Sequence, residues 1–128
     1  MKTGSKKLKI IKMNIEGLKI NTGSEHSTVF NYADSVAYQS DAVVSKTIVK
    51  KETGTITVFA FGKGQGLSEH SAPFDAIIQI VDGSAEVFIN KKPFIVKTGQ
   101  TIILPANIPH AVQSITDFKM VLTMIKSS

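Results

Sequence analysis

From residue 42 onward the chain is a succession of short β-branched and aromatic runs, separated by turn residues every eight to twelve positions. Ala42–Val49 is rich in valine, isoleucine and threonine and ends in the turn cluster Lys50-Lys51-Glu52-Thr53-Gly54. Thr55–Phe61 alternates in polarity and is expected to return against it as a hairpin. The glycines at 62, 64 and 66 are expected to break the ladder. Ala76–Val81 is apolar except for Gln79, as in a strand covered on both faces. Asp82-Gly83 is a strong hairpin signal leading into Ala85–Ile89. Asn90–Pro93 and Thr98–Gln100 are further turns, flanking Phe94–Lys97 and leading into Thr101–Leu104, which Pro105 stops. Ala111–Ile115 and Phe118–Ile125 complete the series. No segment sustains a 3.6-residue apolar period, which excludes a helical bundle and any βαβ unit. This spacing predicts an all-β domain, a sandwich or barrel.

The 128-residue length suits one domain with a core of its own, and 42% hydrophobic content excludes a disordered chain. We divide it into an irregular segment over 1–41 and a barrel over 42–128. Residues 1–7 read as a disordered arm, and Tyr32–Val36 as one helical turn. Without cysteine there is no disulfide framework or thiolate site, and a cytoplasmic setting is expected. No apolar run approaches the ~20 residues that span a bilayer, so no membrane partner is expected. The net charge of +5 comes from Lys2, Lys6, Lys7, Lys9 and Lys12; the other ten lysines meet ten acids. Every basic residue is lysine, whereas arginine is the residue that reads guanine edges, so no nucleic-acid partner is expected. Gly62–Gly66 is not a phosphate loop, because no helix follows to supply an N-terminus.

His70 and His110 each follow a glycine-containing turn, and the only other histidine, His26, lies in a polar stretch. The spacing resembles that of the cupins, which are double-stranded β-helix or jelly-roll barrels. Their first motif is G-x5-H-x-H-x3,4-E-x6-G; here Gly64, His70 and Gly83 match it. Their second is G-x5-P-x-G-x2-H-x3-N; Gly99, Pro105 and His110 match in register. The resemblance runs from about Val43 to Ile125 and implies a jelly-roll barrel with both imidazoles facing one lumen.

The departures bear on chemistry. Ala72 stands at the second histidine of the first motif and Ala76 at its glutamate; Asn107 replaces a glycine and Ser114 the closing asparagine. Metal sites of the family use the two first-motif histidines, the glutamate and the second-motif histidine, so two of four ligands are alanine. Asp75 and Gln79 are the neighbouring oxygen donors, and a local bulge would bring either inward. Strict alternation instead sends Gln79 to the face opposite Ala76, Ile78 and Ile80. Asp75, after Pro73-Phe74, has the alternative of capping backbone amides in a turn. Glu69 is expected to point away from His70.

Two functional classes follow. In the first, the barrel binds a small molecule, with His70, His110, Gln79, Phe61 and Met120 around it. A weak divalent site (Mn, Fe, Ni or Zn) at His70, His110 and Gln79 is the metal form of that reading, and no catalytic residue is identifiable. In the second, the chain is a metal-dependent cupin enzyme of the isomerase or dioxygenase kind acting on a small organic substrate. The family also implies a homodimer, with Leu8–Met13 as the strand that pairs across it.

Overall fold

In a computed structural model the described residues are 26–126, and nine strands account for most of them. They are β1 (Val43–Lys51), β2 (Gly54–Phe61), β3 (Gly66–His70), β4 (Asp75–Asp82), β5 (Ser84–Ile89), β6 (Lys92–Lys97), β7 (Thr101–Leu104), β8 (His110–Ser114) and β9 (Phe118–Ile125). One sheet has the order β1-β2-β9-β4-β7 and the other β3-β8-β5-β6. Every pairing is antiparallel. This is an all-β jelly-roll barrel. The arm expected over residues 1–7 and the pairing strand expected at Leu8–Met13 lie outside the described residues.

Alternation along the strands builds the core. In β4, Ala76, Ile78 and Ile80 are buried while Asp75 and Gln79 are exposed, as a period of two requires. From β9, Met120 faces Phe59 and Ile80 across the ladders, and Phe118 faces Phe61. Ala85, Val87, Val96 and Val112 come from the second sheet to meet them. Phe61 and Phe118 stack at 4.4 Å with rings 5° from parallel, sealing the interior at their end of β2 and β9. A second apolar cluster lies on the outer face of the five-stranded sheet. There Val58, Ala60 and Val121 are covered by Tyr32, Val36 and Tyr38. Tyr32–Asp34 forms one 3-10 turn, in keeping with the single helical turn expected at Tyr32–Val36. Tyr38 donates its hydroxyl to Asp82 at 2.5 Å and Lys119 donates to the Ala33 carbonyl at 2.6 Å, tying this segment to the sheet.

Two expectations about turns need correction. The glycine-rich stretch does not end the ladder: Gly66–His70 is β3, paired with β8. Its start must be glycine, because a Cβ on Gly66 would sit 2.3 Å from the Val112 carbonyl oxygen of the partner strand. Asp82-Gly83 does not close a hairpin either, since β4 and β5 belong to different sheets. It is a corner. Gly83 has φ +77°, and a Cβ there would meet the Asp117 carbonyl oxygen at 2.1 Å. By contrast, Asn90 and Lys91, at φ 52° and 69°, form a true two-residue hairpin between β5 and β6.

Candidate functional site

His70 closes β3 and His110 opens β8, and the two are direct partners in the ladder. The register shifts between Leu67 and His70, and that irregularity brings the histidine opposite His110. Directly paired residues carry their side chains on one face. Accordingly the two Nε2 atoms lie 3.2 Å apart, with ring centroids 4.4 Å apart and planes at 73°. His110 is buried, at 6% exposure, whereas His70 is exposed on the rim.

Each ring is fixed from behind. His70 Nδ1 lies 2.8 Å from the Ser68 carbonyl and His110 Nδ1 3.2 Å from the Ile108 carbonyl. A carbonyl only accepts, so Nδ1 carries the hydrogen in both rings and, in the neutral form, both Nε2 atoms present lone pairs. Burial pushes the His110 pKa below its usual 6.5 and the neighbouring His70 pushes it further; the Ile108 carbonyl opposes both.

The loop that delivers His110 is pinned to the end of β4. Asp75 Oδ1 accepts from the Ala106 amide at 2.8 Å, and the Ala72 carbonyl accepts from the Asn107 amide at 2.6 Å. Asp75 therefore caps a backbone amide and is not aimed at the imidazoles. Asn107 has φ 64°, a left-handed conformation that glycine adopts freely and asparagine tolerates, which accounts for asparagine at this motif position.

In front of the imidazoles is a half-open pocket of about 50 Å³. Leu67 and Val112 line it from one sheet, Ile78, Leu104, Met120, Leu122 and Met124 from the other, and Ala72, Phe74 and Ala76 complete the wall. Among the described residues, the histidine nitrogens are the side-chain nitrogen or oxygen atoms on that surface. Lys126 Nζ stands 5.7 Å from the ring centre of Phe74.

The sequence-derived residues divide as follows. His70, His110 and Met120 share the pocket. Gln79 does not: β4 carries it to the exposed outer face, paired with Thr101 and Val121, because the β4–β9 register shift falls after Ile80 and leaves the alternation intact before it. Phe61 is fully buried against Phe118 and is core, not pocket lining. Glu69 points outward to Lys91, 3.3 Å away, a surface pair that adds little stability. The motifs do not single out Leu67, Phe74, Leu104 or Leu122, which line the pocket together with Met124. Leu122 and Met124 were recoverable from their two-residue spacing after Met120. Phe74, in a connection, carries no such signal.

Among the described residues no three His, Cys, Asp or Glu side chains gather where they would hold a metal ion. Ala72 and Ala76 line the pocket where the family's ligands would stand. The donor set is thus two imidazoles, short of the three or four protein ligands that a resident zinc takes.

Residues 57–126 match the cupin domain family. A conserved protein of unknown function from Streptococcus pyogenes is 38% identical, with a TM-score of 0.78 over 81% of this chain and 91% of that one. A cupin 2 conserved barrel domain protein from Leptotrichia buccalis is 45% identical at a TM-score of 0.74; 76% of this chain aligns with 47% of that longer one. A cupin superfamily protein from Desulfitobacterium hafniense shares the fold at 18% identity, with a TM-score of 0.74 over 80% of this chain and 94% of that one. No curated protein sequence matches the chain. With the two motifs in register, the nine-strand barrel and the paired histidines at its mouth, the chain belongs to the cupin family.

Proposed function

We propose that this cupin barrel binds a small organic molecule in its half-open lumen, with His70 and His110 as the polar anchor. The observation that carries the reading is the pair of Nε2 atoms 3.2 Å apart at the mouth of an otherwise apolar pocket. His110 is buried and both Nε2 atoms face one volume, so the site favours an occupant that hydrogen-bonds to them. Among the described residues no nucleophile or paired carboxylate lines the pocket, so the reading is binding without assigned turnover.

A second reading is a metal-dependent enzyme of the isomerase or dioxygenase kind, with a resident divalent cation at His70 and His110 rather than the weak site of the first reading. It is favoured by the same distance: two nitrogens of one tetrahedral ion at ~2.0–2.1 Å lie about 3.3 Å apart. Metal analysis of protein purified without chelator, with melting curves in Mn²⁺, Fe²⁺, Ni²⁺, Zn²⁺ and a panel of small organic compounds, separates the two. Organic compounds that raise the melting temperature of the wild type but not of His70→Ala support the first. Stoichiometric metal, or a large shift with a divalent ion alone, supports the second and overturns the first.

The chain is also proposed to be a homodimer. Ile77, Ile103 and Ile125 share the outer face of the five-stranded sheet, and Ile103 and Ile125 are 58% and 47% exposed. Light scattering after size exclusion tests this directly; a monomer mass at micromolar concentration contradicts it.

A further inference from the structure

We propose that the occupant is a neutral molecule with an apolar body and one hydroxyl donor, of the alcohol or phenol class; this rests on the small-molecule reading above. The argument begins behind the rings. With both Nδ1–H groups committed to the Ser68 and Ile108 carbonyls, neither neutral ring has a hydrogen left for the gap between them. With both rings neutral and Nδ1 protonated, two lone pairs 3.2 Å apart repel one another, and neither imidazole has a hydrogen to give the other. What completes the arrangement is a donor, and a hydroxyl hydrogen placed between the nitrogens supplies it.

The walls fix the rest of the class. Leu67, Phe74, Leu104 and Met124 offer no hydrogen-bond donor to an anion, and an ammonium would lose its hydration against them. A carboxylate brings only acceptors to a pair that already has two. Size is limiting as well: about 50 Å³ is roughly a third of the ~150 Å³ of an engineered apolar cavity that holds benzene. The hydroxyl and a few carbons fit inside, and a larger apolar body extends past Phe74 at the mouth.

Three probes of similar size test the inference: phenol, anisole (the hydroxyl hydrogen replaced by methyl) and benzoate. Binding is followed by chemical-shift changes of the full chain at millimolar ligand. Phenol is expected to bind at least about tenfold more tightly than anisole, because a site built around two acceptors, one of them buried, discriminates against a ligand lacking the donor. In His70→Phe, at the exposed rim, that preference is expected to fall below threefold. Phenol and anisole binding equally would overturn the donor class and leave the pocket reading intact. Benzoate as the tightest of the three would also overturn it. Failure of all three to bind would overturn the pocket reading and this inference with it. Independently of any ligand, histidine ¹⁵N spectra above pH 7 should show Nδ1 protonated and Nε2 bare in both rings; an Nε2–H on either overturns the argument.

Discussion

The absence of a third metal ligand is tested by supplying one. Ala72 lies two residues beyond His70, lines the same pocket, and has its backbone held by the Asn107 amide at 2.6 Å. Ala72→His therefore adds an imidazole facing the existing pair and creates a three-histidine set, the number that catalytic zinc sites use. If the third ligand strengthens zinc binding about a hundredfold, an ion concentration of 100 times the variant's Kd equals the wild type's Kd. Linkage then gives the variant about 2.7 kcal/mol of added stability and the wild type about RT ln 2, or ~0.4 kcal/mol. At roughly 3–5 °C per kcal/mol for a domain of this size, the variant should gain about 10 °C and the wild type 1–2 °C. Differential scanning calorimetry with and without Zn²⁺ reads both. Gln79→His is the control, and it should respond like the wild type because Gln79 lies on the exposed outer face. Equal zinc responses of Ala72→His and wild type, or a gain in Gln79→His, would refute the placement of these side chains.

Other perturbations probe the remaining parts. The lowered His110 pKa means that the unfolded chain takes up a proton the folded chain resists. Stability should thus be unaffected by this group above about pH 6.5 and should fall as pH drops below it; His110→Gln should flatten that acid limb in urea titrations. Ile78→Ala empties a position 1% exposed at the centre of the core and should cost about 2–5 kcal/mol, moving the urea midpoint by roughly 1–2.5 M. Asp75→Ala removes the cap on Ala106 and should cost about 0.5–1.5 kcal/mol, with amide exchange rising over residues 105–108. Asn107→Gly should be tolerated, whereas Asn107→Val should lower the melting temperature, because a β-branched residue disfavours φ 64°.

Most of the barrel was legible because strand alternation and turn chemistry are local. The β1–β2 hairpin and the Asn90-Lys91 turn follow from residues adjacent in the chain. What was not legible depends on partners distant in sequence. Gly66–His70 holds one apolar side chain, so nothing within it announces a strand; β8 makes it one. The Asp82-Gly83 signal correctly marks a reversal, but whether two strands stay in one sheet is decided by β9 and β6, which they pair with instead. The histidine pair was visible through motif register alone. The face of Gln79 turned on where a register shift fell, and the shift lies after Ile80. The apolar character of the pocket was half visible, in Ala72 and Ala76, since removing two polar ligands leaves a wall of methyl groups.

The central claim is that His70 and His110 meet at the mouth of one cavity, and nuclear Overhauser contacts between their rings test it most directly. The chain has three histidines, so labelling that residue type gives three ring-proton systems to assign. With Nε2 atoms 3.2 Å apart, ring protons of His70 and His110 should show a strong mutual cross-peak. Its absence in folded protein at neutral pH would contradict the account.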